Sequence, residues 1–216
     1  MLKILKGQEE FASGIVVAEE TKNASSLPFV LHYLATLAES SQKVALVTSK
    51  LSEMNYRLMS SKAGIRWSPD KIAFIELIQP SCSFETSGEE VMNNLLDKLS
   101  DEKITSIIFD DFAIFEELGF SSTEINHNVY KLYDLLKSRS SSPTLFVPFS
   151  VSSNTVQQLK HKCHVYIELV PVGHGFGKDA SSKAIATVKK GNTEVLKKGI
   201  LLSGERTNNG VWVTVN

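Results

Sequence analysis

Residues 13–40 read SGIVVAEETKNASSLPFVLHYLATLAES. The first seven are short, rich in branched aliphatic residues and unbroken by polar positions, which predicts a strand buried on both faces over 13–19. A helix is predicted over 25–40, with Ser25 or Ser26 as its N-cap and Pro28 tolerated in the first turn. The same alternation recurs downstream. Strands are predicted at 43–49 (KVALVTS), 71–78 (KIAFIELI), 104–111 (ITSIIFDD) and 143–150 (PTLFVPFS). Helices are predicted at 51–64, with Ser52 as a cap and Gly64 as a stop, at 87–100, with Val91, Leu95, Leu96 and Leu99 on one face, and at 121–138. Near-continuous apolar strands alternating with helices predict a parallel sheet covered on both faces, with right-handed crossovers.

The texture changes after about residue 163. Segments 163–172, 183–202 and 210–215 read as strands without helices between them, with a hairpin turn at Lys190-Gly191-Asn192. The expectation is one domain over 1–216, an α/β core over about 13–150 and a β-rich part over 163–216 that continues the sheet as an antiparallel meander.

The loop between the first strand and first helix is where a P-loop would lie. That motif, GxxxxGK[ST], wraps phosphates in backbone N–H groups and neutralises them with its lysine. With Ser26 at the hydroxyl position, Ser25 replaces the lysine, Ala24 the second glycine and Glu19 the first. Glu19 and Glu20 add negative charge where phosphates would sit. A second Gly-Lys pair, Gly177-Lys178 in GHGFGKDA (173–180), is followed by Asp179 rather than Ser or Thr and by no predicted helix. It reads as a glycine-rich loop. The acidic pair Asp110-Asp111 ends its strand where an NTPase holds magnesium, but without a cradle it reads as a cap of the following turn or as a repurposed site.

Composition narrows the classes further. Of 216 residues, 42% are hydrophobic and 22% charged, with net charge −1 and pI near 6.5, so bulk charge announces no nucleic-acid binder. Two cysteines, Cys82 and Cys163, argue against a disulfide framework. The N-terminal MLKILKGQEEF lacks the apolar core of a signal peptide, and no stretch reaches the length of a membrane span. His161, Cys163 and His164 cluster, but no second Cys/His pair stands at finger-like spacing, so no metal site is expected. No GxSxG or HExxH motif is present, and no catalytic residue is expected. Phe112, Phe115 and Phe120 read as core plugs or interface anchors. Lys178, Lys183, Lys189 and Lys190, near flexible glycines, are the candidates for phosphate contacts with nucleic acid.

The stretches 13–65, IIFDDFAIFEELGFS (107–121) and VGHGFGKDASSKAIATV (172–188) together resemble the RecA-like ATPase core. Within it they resemble the Elongator complex protein 6 family, a branch without a working P-loop. The resemblance covers roughly 13–215. It implies a RecA-like fold and a non-catalytic subunit, a pseudo-ATPase that needs no cofactor. Its place would be a heterohexameric ring with the fourth and fifth Elongator subunits, attached to the remaining Elongator subunits. That ring binds tRNA in support of wobble-uridine modification, in cytoplasm or nucleus and away from membranes. Active RecA-like proteins also place a catalytic Glu after the second strand, whereas VTSKLS (47–52) has no acid before Glu53. A DNA-repair recombinase paralogue and a divergent ATPase are the alternative readings.

Overall fold

The computed structural model describes residues 11, 13–21, 24–39, 43–78, 87–171, 179–190, 193–207 and 210–215. Cys82, the Gly173–Lys178 segment and the turn residues Gly191 and Asn192 lie outside them. In chain order the elements are β1 (Gly14–Glu20), α1 (Leu27–Glu39), β2 (Lys43–Thr48), α2 (Glu53–Lys62), β3 (Ile72–Glu76), α3 (Gly88–Lys98), β4 (Ile104–Phe109), α4 (Ile114–Glu117), α5 (Ser122–Lys137), β5 (Thr144–Phe149), α6 (Asn154–Lys162), β6 (Val165–Pro171), β7 (Asp179–Lys190), β8 (Thr193–Thr207) and β9 (Gly210–Val215).

The strands form one sheet in the order β3-β2-β4-β5-β1-β6-β7-β8-β9. The first six in that order are parallel, and β7 to β9 are antiparallel. Segment 163–172 does begin the antiparallel part, pairing with β7, but its other edge adds a further parallel strand that was not expected, since β6 lies parallel to β1 with Val17 opposite Tyr166. The parallel run is possible because a helix, α6, fills 154–162 and supplies the crossover that parallel strands require.

Alternation along β1 divides the core. Ile15 and Val17 point into a layer with α3, α5 and α6, where Val91, Leu95, Val129, Leu132, Val156 and Leu159 pack. Val16 and Ala18 point the other way, onto Phe29, Val30, Tyr33 and Leu34 of α1 and Tyr56 of α2. Phe112 and Phe115 are fully buried and stack with Phe109, Phe149 and Phe120, so the Phe-rich segment plugs the core.

Local signals set the helix ends. Ser52, Ser87 and Ser121 accept hydrogen bonds from the third residue beyond each of them, and Ser121 with Glu124 completes a capping box. Gly64, at φ 72°, follows α2 in the left-handed conformation that stops a helix. Because β1 and β2 lead to helices on one face while β4 and β5 lead to helices on the other, the switch points, where open α/β sheets form a crevice, fall at the carboxyl ends between β1 and β5 and between β2 and β4. In open α/β sheets, ligands bind at such a point.

Candidate functional site

At that crevice the chain turns immediately after β1. The Thr21 amide and hydroxyl both donate to the Leu169 carbonyl of β6 (3.0 and 2.6 Å), and Ala24 N–H donates to Thr21 O (2.9 Å). Ser26 is the backbone cap of α1, since its carbonyl accepts from Val30 N–H at 3.0 Å. The first donors of α1 are all engaged. Ser26 N–H donates to Glu20 Oε1 at 2.6 Å, Leu27 N–H to Ser25 Oγ at 3.2 Å and Phe29 N–H to the Ser26 carbonyl at 2.8 Å, while Pro28 has no N–H. A helix start normally offers these groups, together with about half a positive charge, to an anion. Here the anion is the chain's own Glu20 carboxylate.

Glu19 and Glu20 therefore have separate roles, because adjacent strand residues face opposite sides. Only Glu20 meets α1. Glu19 is 6% exposed and accepts the Tyr166 hydroxyl proton in the other layer. Burial, and then the Glu19 carboxylate, hold the Tyr166 phenol well above its ordinary range. The Lys160 ammonium lies 4.3 Å from the centre of the Tyr166 ring.

The acidic pair is fully engaged. Asp110 accepts from the amides of Ser49 (2.8 Å) and Lys50 (3.1 Å), the Ser49 hydroxyl (3.2 Å) and the Tyr56 hydroxyl (3.5 Å). It thus caps the loop after β2, not the turn after its own strand. Burial pushes its pKa up against the opposing pull of those amides. Asp111 performs the expected cap, accepting from Ala113 N–H (3.0 Å), and also holds the end of β5 through the Ser150 amide and hydroxyl (3.2 and 2.8 Å).

Lys50 Nζ lies 2.8 Å from Asp111 Oδ2. Burial lowers the pKa of this ammonium, but Asp111, Glu20 and Asp110 more than offset that and hold it above its usual value. Ser49, Lys50 and Tyr56 were missed by sequence reasoning. Their partners lie more than fifty residues away, and no local pattern marks them. Among the described residues, three carboxylates, Asp111, Glu20 and Asp110, thus surround one lysine.

The remaining candidates are dispersed. Lys183 is exposed on β7 beside Val170, near the carboxyl end of β6, while Lys189 and Lys190 lie at the far end of β7, about 20 Å away along the strand. The Lys189 ammonium donates to the Lys160 carbonyl, and Lys190 is exposed. Lys178 lies outside the described residues. The His161-Cys163-His164 cluster does not converge. His161 is exposed on α6, and Cys163 is buried at that helix's end with its thiol pushed up to about 11 by burial. His164 accepts the Ile15 N–H on Nδ1 (3.0 Å) while its own amide donates to Ile15 O (2.9 Å). No group of three metal-ligating side chains occurs among the described residues. Nor does any helix among them reach the length and apolarity of a membrane span.

No protein-family model matches the chain, and no curated protein matches it. Solved structures do. A KaiC-like protein from the hyperthermophilic archaeon Pyrococcus horikoshii OT3 is 14% identical with a TM-score of 0.58, over 98% of this chain and 97% of its own. The flagellar accessory protein FlaH from Methanocaldococcus jannaschii is 12% identical with a TM-score of 0.65, over 95% of this chain and 91% of its own. At such identities the likeness shows the fold alone. Taken with the six parallel strands, the two helical layers and the antiparallel C-terminal strands, it establishes that this chain has a RecA-like fold.

Proposed function

We propose that this chain is a non-catalytic RecA-like subunit, the sixth-subunit member of the Elongator accessory ring. It assembles with the fourth and fifth subunits and supports tRNA binding for wobble-uridine modification. The observation that supports this reading is the state of the α1 start, where Glu20, Ser25, the Ser26 carbonyl and Pro28 leave no described first-turn donor for a phosphate. Lys50, tied to Asp111, is the one cation beside three carboxylates among the described residues. A scaffold that keeps this core while its phosphate chemistry is replaced by internal bonds is retained for its surfaces. Tyr166, Asp110 and Asp111 act structurally, and catalysis belongs to other subunits. Of the four candidate lysines, Lys183 and Lys190 are exposed, and contacts from them to RNA phosphates would weaken as salt rises.

The test is co-expression with the fourth and fifth Elongator subunits, followed by native mass spectrometry. A heterohexamer containing two copies of each chain is the expected mass. A chain that elutes alone and appears as a free monomer refutes the assignment.

A further inference from the structure

The sheet ends in a long hairpin whose outer edge is only half covered among the described residues. Strand β9 pairs with β8 from Leu202 to Thr207. From Thr193 to Leu201, β8 is paired with β7 on one side and, among the described residues, with nothing on the other. That edge runs about 30 Å, with a register shift at Val195 and regular pairing to β7 from Leu196 to Leu201, where alternate backbone N–H and C=O groups face outward. Two of the large hydrophobic residues exposed on this molecule stand on it side by side, Val195 at 55% and Leu196 at 37%. Lys197 and Lys198 follow them, and exposed Lys190 lies at the base of the turn. Glu194 is registered opposite Lys189, whose ammonium donates to the Lys160 carbonyl.

We propose that the Thr193–Leu201 edge of β8 is a docking site for an extended, acid-bearing segment of a partner polypeptide, which adds to the sheet as a further strand. Main-chain pairing supplies the affinity of such augmentation, and alternate side chains supply its selectivity. Val195 and Leu196 offer the apolar contact, and Lys190, Lys197 and Lys198 the charge an acidic strand would answer. The stretch contains no aromatic ring on which a base could stack, so a polypeptide fits it better than single-stranded nucleic acid. The inference is independent of the ring assignment, since it uses only the hairpin.

The test uses the full chain and a fluorescein-labelled, nine-residue peptide alternating Val and Glu, read by fluorescence polarisation and amide hydrogen exchange. Saturable binding is expected, with exchange slowed across 193–201. Lys197→Glu combined with Lys198→Glu is expected to weaken it at least tenfold, and Val195→Thr severalfold, with circular dichroism unchanged. Absence of binding overturns the proposal. So does equal binding of an alternating Val-Lys peptide, tighter binding of an oligouridine, or protection confined to residues outside the hairpin.

Discussion

Replacing Asp110 with alanine removes the acceptor that joins the end of β4 to the loop after β2. Two backbone amides, Ser49 at 2.8 Å and Lys50 at 3.1 Å, lose their partner, as does the hydroxyl of Tyr56, a residue only 1% exposed. A hydrogen bond to a charged acceptor is worth about 1.5–3 kcal/mol, and the lower end applies to Ser49 and Lys50 because water can reach that loop. The two amides alone give a destabilisation of about 3 kcal/mol for Asp110→Ala, or roughly 6–12 °C in Tm for a chain of this size. Asp110→Asn keeps one acceptor oxygen but turns an NH2 group toward the second amide, so about half of that loss is expected. Urea unfolding of both variants, with unchanged m-values, measures the difference. A loss below about 1 kcal/mol for Asp110→Ala would mean that the carboxylate does not organise this loop, and the structural role assigned to it fails.

Other outcomes follow from the same contacts. Tyr166→Phe leaves the buried Glu19 carboxylate without its donor and should cost about 2 kcal/mol, and a double-mutant cycle with Glu19→Gln should show strong coupling. Gly14→Ala should lower stability by about 2–3 kcal/mol, because Gly14 sits at φ 97° and an added Cβ would lie 2.6 Å from His164 Cγ; thermal unfolding reads this directly. Burial, and then Lys137, hold the His164 pKa below its ordinary value, and its Nδ1 accepts Ile15 N–H as a neutral ring. The unfolded chain therefore takes up the proton first. The stability His164 contributes is present above about pH 6.5 and is lost as pH falls through the lowered folded value. In urea midpoints measured from pH 8 to 5, His164→Asn should show a shallower acid slope than the parent chain.

Most of the parallel sheet was legible in the sequence because its strands are buried on both faces and appear as unbroken apolar runs, as in GIVVAEE and TLFVPF. Helix α6 was not legible. Its nine residues carry only Val156 and Leu159 as apolar anchors, too few for a 3.6-residue pattern to stand out, although Ser153 gave a capping signal. Without that crossover helix, β6 could not be placed beside β1. The capping box at Ser121 and Glu124 was readable from spacing alone and passed unnoticed. At the crevice, the acidic loop led to the expectation that a phosphate would be repelled, but it did not reveal that Glu20 turns back onto Ser26 while Glu19 faces Tyr166. That division follows from strand alternation once the layers are known. Lys50 illustrates the limit, since its partner Asp111 is brought to it only by the pairing of β2 with β4.

The proposed function rests on the described donors at the start of α1 being engaged by the protein's own groups, so the most direct measurement is calorimetric titration of the purified chain with magnesium-ATP up to millimolar concentration. A flat isotherm, unchanged in Asp110→Asn, is the predicted result. Saturable binding in the micromolar range, lost when Asp110 is replaced, would contradict it and show that the aspartate still serves a nucleotide's metal.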